Sequence, residues 1–212
     1  MGDVAKPTPM PIADVARRAG VSIPTLRFYE QKGLITSQRT GSNRRCFPRH
    51  VLRRLAFIAA AQRLGLSLAW GRIFFLYGPE EDERRLVASV ARSLAAGERA
   101  AISEGSQRRD FLHVDDVAGA FAAIIDSAVT GPVNVASGEG VAVRRIAELL
   151  AQAAGRPDLL DVGAVASRAD DPPQIVGDAG RLREEVGWRP GFSLEEGLTQ
   201  TVAWWRDRER TP

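Results

Sequence analysis

The chain has 212 residues, enough to bury one large hydrophobic core or two small ones. Hydrophobic residues make up 44% and charged residues 26%, which excludes a disordered or collagen-like chain, and no run nears the ~18 apolar residues of a membrane span. One cysteine, Cys46, excludes an internal disulfide and a four-cysteine metal site and points to a reducing cytoplasm.

The formal net charge of +3 conceals an asymmetry. Residues 1–70 carry two Lys and ten Arg against three acidic side chains, a net of +9. Residues 71–212 carry seventeen Arg against twenty-three acidic side chains, a net of −6. Two modules are implied, the first suited to a polyanion. Met1 to Pro11, with three prolines and no apolar block, reads as a flexible leader and not as a secretory signal.

Helical spacing begins at Ile12 and continues through Val15, Ala16 and Ala19 to a stop at Gly20. Ser22 caps a second helix, with Pro24 tolerated in its first turn, and Gly33 ends it. Two short helices around a glycine turn make a helix-turn-helix candidate. Arg39 to Phe47, with Gly-Ser-Asn between arginines, reads as a small hairpin or wing. Pro48 opens a third helix, with Val51, Leu55, Ile58 and Gln62 in register, closed by Gly65. A helix fits the major groove and arginines of a wing meet phosphates, which puts Thr25 and Arg27 within reach of bases. Tyr29 can offer its hydroxyl to a phosphate. The same pattern also fits a small helical domain with a solvated arginine face.

The segments 12–22 (IADVARRAGVS), 25–30 (TLRFYE), 33–35 (GLI), 43–45 (NRR), 51–58 (VLRRLAFI) and 61–65 (AQRLG) together resemble the MerR family of winged-helix regulators, most closely its SoxR-like branch. The resemblance covers residues 12–68 and implies double-stranded DNA as partner, bound as a homodimer. It places DNA contacts at Arg18, Thr25, Arg27, Tyr29, Arg44 and Arg45. The iron–sulfur cluster of SoxR-like sensors is not expected, since no cysteine follows Cys46. The family's long dimer helix is also missing, because Trp70-Gly71 leads into Ile73 to Tyr77, a run of β-formers. Any dimer interface is therefore unidentified.

From residue 71 the pattern alternates strands and helices, as in α/β structure. Expected elements are a strand at 72–77, a helix at 84–96 ended by Gly97, and an extended segment at 109–113. A helix capped by Asp115 runs to Ser127, followed by a strand at 133–135, a helix at 144–154 and an edge strand at 175–176. A short helix at 179–186 stops at Gly187, and Ser193 with Glu196 has capping-box spacing at the head of the last helix. Trp204 and Trp205 read as packing of that helix.

The motifs at 72–79 (RIFFLYGP), 109–118 (RDFLHVDDVA), 131–138 (GPVNVASG), 168–171 (RADD), 182–190 (LREEVGWRP) and 194–197 (LEEG) resemble the C-terminal half of an extended short-chain dehydrogenase/reductase, the NAD-dependent epimerase/dehydratase family. The resemblance covers 71–212 and implies a nucleotide-sugar ligand, with Arg109 and Arg168 clasping its diphosphate. Without that ligand, each arginine reads equally as half of a surface ion pair. Phe75 stands where the family often has Asn, which leaves the sugar open.

The fold class is thus an α+β two-module chain, a winged helix-turn-helix followed by an incomplete α/β, the C-terminal half of a Rossmann-type extended short-chain dehydrogenase. NAD is the family's cofactor, yet none is expected from this chain alone. It lacks a glycine-rich turn between strand and helix. The family's Tyr and Lys four apart are also missing: Tyr29 and Tyr77 are the only tyrosines, and Lys6 and Lys32 the only lysines. No catalytic residue and no metal ligand are expected. The reading is a DNA-binding regulator-like head joined to a catalytically incomplete half. Two alternatives stay open: a nucleotide-sugar enzyme inactive alone or completed by another chain, and two genes joined by an assembly error, which sequencing the locus would reveal. An incomplete sheet leaves the strand at 72–77 open to water. Limited proteolysis should cut early between 71 and 110, and resistance throughout that span would refute the expectation.

Overall fold

A computed structural model of the chain describes residues 9–40, 45–168 and 170–210. It divides into two compact units. The first runs through Trp70 and includes Val129–Pro132; the second comprises Gly71–Ala128 and Val133–Pro212.

In the first unit, β1 (Met10–Pro11) leads directly into α1 (Ile12–Ala19) and α2 (Ile23–Gln31). Met10 and Pro11 were expected to belong to a flexible leader; instead they pair with the wing and Met10 is buried. Gly20 ends α1 at φ +67°, a left-handed conformation that side chains with a Cβ resist. Ser22 Oγ accepts the Thr25 N–H at 3.1 Å, the cap expected from the sequence. The wing is β2 (Gln38–Arg39) paired antiparallel with β3 (Arg45–Phe47); its turn, 41–44, lies outside the described residues. The third helix, α3 (Val51–Arg63), brings Val51, Leu55 and Ile58 against Val15, Leu26, Ile35 and Phe47. Spacing of three and four residues puts those side chains on one face.

No helix starts at Ser67. β4 (Ala69–Ile73) takes its place, and β5 (Phe75–Tyr77) follows after a break at Phe74, so the single strand expected at 72–77 is two. The second unit continues with α4 (Leu86–Ala95), β6 (Ala100–Ile102), β7 (Arg108–Arg109), β8 (Phe111–His113) and α5 (Val114–Asp126). Then come β9 (Gly131–Val135), of which this unit holds the part from Val133, β10 (Val141–Ala142), α6 (Val143–Ala154), β11 (Leu160–Val162), β12 (Gln174–Ile175), α7 (Gly180–Glu184) and α8 (Leu194–Arg210). The parallel pair β6–β11 and the strand β10 had no counterpart in the sequence reading.

β5 pairs in parallel with β8, and β4 is hydrogen-bonded to β9, so both strands of the segment expected to lie open to water have one partner. β7 lies between β10, antiparallel, and β12, parallel. The core of this unit is helical. Val87, Ala91 and Leu94 of α4 meet Ile146, Ala147 and Leu150 of α6 and Leu198, Val202 and Trp205 of α8. The capping box holds as expected, with Glu196 Oε2 accepting the Ser193 N–H and Ser193 Oγ accepting the Glu196 N–H.

Asp110 sits between β7 and β8, fully buried. Its main chain donates to Ile175 O and accepts from Phe75 N, at 3.1 Å each. Its carboxylate accepts four hydrogen bonds, from Ser137 N, Ser137 Oγ, Gly138 N and Gly177 N, at 2.7–3.1 Å. Removing the charge leaves buried N–H groups facing an amide. Asp110→Asn should destabilise the second unit by about 3–5 kcal/mol in urea unfolding, and a loss under ~1 kcal/mol would contradict this account.

Candidate functional site

Each unit offers one candidate surface. In the first, Arg18 in the last turn of α1 and Arg27 on α2 are exposed and make no ion pair among the described residues. Thr25 is half-buried, and its hydroxyl lies 2.7 Å from Ser22 Oγ, so it also belongs to the helix cap. Arg45 pairs with Glu30 through Nε at 3.1 Å, and both side chains stay partly open to solvent. Tyr29 differs from expectation. It is 5% exposed and its hydroxyl donates to Gln62 Oε1 at 3.1 Å, which ties α2 to α3 and turns the group away from an outward phosphate contact. Arg44 lies outside the described residues.

In the second unit, a cavity of about 500 Å³ opens beside β7. That is ample for a nucleotide-sized ligand. Arg109 and Arg168, far apart in sequence, both line it. Arg109 is 5% exposed and its Nη2 donates to Asp171 at 2.5 Å. Its guanidinium also lies 5.8 Å from the Phe75 ring, which packs 5.7 Å from Phe111. Arg168 is exposed and makes no ion pair among the described residues. Two planar cations lining one cavity suit a pair of phosphate groups, and Asp171 holds one of them in the meantime.

Sequence reasoning missed Glu81. The turn after β5 puts Glu80 at φ +62°, a strained conformation for a residue with a side chain, and Glu81 on the cavity wall. The Glu81 side chain is only 6% exposed, 4.0 Å from Arg85, and its Oε2 has no hydrogen-bond partner among the described residues. Burial pushes its carboxyl up to about 7, against the lowering effects of Arg85 and the Ala88 N–H; Asp82 adds to the rise. Burial of an unpaired acid leaves no pattern in a sequence.

Other expected groups have structural roles. Asp115 does not cap α5; His113 does, its Nδ1 accepting the Asp115 N–H at 3.4 Å. The proton therefore sits on Nε2, and burial holds the imidazole below its ordinary pKa despite Asp115 and Asp116. Asp116 is buried and accepts from Gly191 N and Phe192 N, anchoring the approach to α8. Burial, with the Asp116 and Glu195 charges, pushes the Tyr77 phenol up, so it stays protonated. No lysine occurs in this unit to oppose that. Trp205 is buried against α4 and α6, as packing requires. Among the described residues no cluster of three His, Cys, Asp or Glu side chains could hold a metal, and no helix is long and apolar enough to cross a membrane.

Fold and sites define a chain of two parts, a helix-turn-helix head with a wing and a mixed α/β unit with an arginine-lined cavity. Both parts match known families. Residues 10–70 match the MerR HTH family of regulatory proteins, and residues 49–136 match the NAD dependent epimerase/dehydratase family. The two matches overlap at 49–70, so the second begins well before the composition change at 71. The chain is 33% identical over 141 residues to a probable GDP-L-fucose synthase of Oryza sativa subsp. japonica, covering 61% of this chain and 42% of that protein. Among solved structures, it is similar to RMD from Pseudomonas aeruginosa complexed with NADPH, with 26% identity and a TM-score of 0.66 over 76% of this chain and 57% of that one. It is similar also to the UDP-glucose 4-epimerase of Thermus thermophilus in complex with NAD, with 27% identity and a TM-score of 0.63 over 80% and 58%. The chain spans about two fifths of the length of the curated relatives it matches first.

The residues present do not fit NAD. A pyrophosphate needs open backbone amides at a glycine-rich strand-to-helix turn. After β5 the turn instead carries Glu80, Glu81, Asp82 and Glu83, and after β8 the helix starts at once with its Asp115 N–H taken by His113 Nδ1. The carboxylates repel the phosphates of a dinucleotide, and the Asp115 N–H of the other turn is already engaged.

Glu81 also makes stability depend on pH. Between about pH 4.5 and 7 the folded chain keeps a proton that the unfolded chain has lost, so stability falls as pH rises across that window. Thermal melts of Glu81→Gln should gain on the parent by a few degrees as pH climbs from 5 to 8. An offset that stays constant with pH would count against the burial of this acid.

Proposed function

We propose that this chain is a DNA-binding, MerR-type regulator-like protein whose second unit binds a nucleotide sugar without turning it over alone. The exposed Arg18 and Arg27 on a helix-turn-helix carry the DNA half of the reading. Helix α2 offers Thr25 and Arg27 to base edges, and the wing offers Arg45 to the phosphate backbone. The +9 balance of residues 1–70 favours a polyanion over the surface of an ordinary protein partner. The partner is duplex DNA, and the expected location is the cytoplasm.

Binding should be measured by fluorescence anisotropy on a mixed-sequence duplex across a salt series. Affinity should fall steeply between about 50 and 200 mM salt, and Arg18→Ala and Arg27→Ala should each weaken binding roughly tenfold and lower the salt slope by about one. No salt slope, or unchanged binding by both variants, would sink the reading.

The second half rests on Arg109 and Arg168 meeting at one cavity, as the diphosphate of a nucleotide sugar requires. Asp171 acts as an internal competitor for Arg109. UDP-glucose binding measured by calorimetry should therefore weaken at least tenfold in Arg109→Ala and tighten several-fold in Asp171→Asn. An enzyme completed by a separate chain is the second reading, favoured by this retained cavity. Turnover of UDP-glucose with NAD by the purified chain alone would overturn the proposal that it is catalytically incomplete.

A further inference from the structure

The arginine cavity contains one acid with no partner adequate to its burial. Glu81 lines the cavity together with Arg85, Arg109 and Arg168, its side chain is 6% exposed, and its Oε2 meets no donor among the described residues. A buried charge is tolerated when paired and hydrogen-bonded. The nearest cation, Arg85, is 4.0 Å away with a side chain 57% exposed, so solvent screens it. The carboxyl is thus held between its two protonation states by its surroundings, and a new charge in the cavity decides between them.

We infer that the cavity takes up a proton on Glu81 when an anionic ligand enters, so that binding of a diphosphate is coupled to pH. This deepens the nucleotide-sugar reading and rests on it. A negative charge within about 7 Å, at an effective dielectric near 20, raises the proton affinity of a carboxyl by more than tenfold. With Glu81 near half-protonated at pH 7, that change moves a large part of one proton. The balance is simple: a proton from solvent bonds to a Glu81 carboxylate oxygen, its charge is cancelled, and no other bond changes.

The neighbouring charges do not supply the same effect. Asp82, Glu80 and Glu83 flank Glu81 on its own turn, with Arg84 and Arg85 following. The same cavity is lined by Arg109, Arg168 and Asp171, and the neighbouring one by Trp204, Trp205 and Arg208 of α8. No histidine is among the residues lining either cavity. Arginine does not titrate near neutrality, which leaves the carboxylates. Of these, Asp171 is held by Arg109 at 2.5 Å and Asp82 by Arg84 at 2.6 Å, whereas Glu81 lacks a comparable bond.

Calorimetric titration of the full chain with UDP-glucose at pH 6, 7 and 8 tests this, because the phosphodiester charges of that probe do not titrate in the range. Affinity should fall roughly five- to tenfold from pH 6 to pH 8. Near pH 7.5, heats in two buffers of different ionisation enthalpy should report uptake of about half a proton or more per ligand bound. Glu81→Gln should bind with little dependence on pH and no proton uptake, whereas Asp171→Asn should retain both. Binding by the parent chain without proton uptake overturns the inference alone, as does uptake that survives in Glu81→Gln or vanishes in Asp171→Asn. Absence of UDP-glucose binding at every pH overturns the nucleotide-sugar reading, and this inference with it. The parent measurement stands on its own if the Gln variant does not fold.

Discussion

A single buried carboxylate organises the second unit. Asp110 lies where the chain leaves the β10–β7–β12 sheet and joins the β5–β8 pair, and its main chain bonds to both β12 and β5. Its side chain gathers the backbone of residues 137, 138 and 177, two segments that no strand or helix would otherwise bring together. A charge without solvent is costly unless its lone pairs are filled, and here four donors fill them. Glycine is required at two of these donors. Gly138 adopts φ +81°, and a Cβ at Gly177 would lie 2.4 Å from the Ala136 Cβ. Arg109, the adjacent residue, is placed at the cavity by the same junction.

Electrostatics then divide the unit's ionisable groups by how they are satisfied. Asp110 and Asp116 are buried with backbone N–H groups bonded to their oxygens. Tyr77 and His113, edge to face with ring centroids 5.5 Å apart and covered by α8, are held neutral because burial gives them no such company. Glu81 falls between the two groups. Tyr77 faces Leu194 O at 3.5 Å and Gly197 of α8, where a packing side chain belongs.

In the first unit, the same distinction separates surface from core. Tyr29 looks like a phosphate contact in a linear motif, but helix spacing from Leu26 carries it to the buried face beside Gln62. Arg18 and Arg27 fall on the other side and stay in solvent. Arg45 lies between, on a wing strand whose register sets it opposite Arg39 and within reach of Glu30. Periodicity identifies which residues are cationic; packing sorts those able to meet an outside anion from those already engaged.

What the linear chain determined is local. Ser22, the left-handed Gly20, Gly97 and Gly187, and the Ser193–Glu196 box mark element ends because caps and positive φ depend on side chains only a few residues apart. The three core helices of the second unit were legible for the same reason, since a 3.6-residue period shows the buried face. Tertiary structure decided the rest. The β6–β11 pairing joins residues some sixty apart, the His113 cap displaced the more obvious Asp115, and the Arg109–Arg168 cavity exists only where separate loops converge. Glu81 is the sharpest case, because desolvation belongs to the neighbours that cover a carboxyl and not to the residue that carries it.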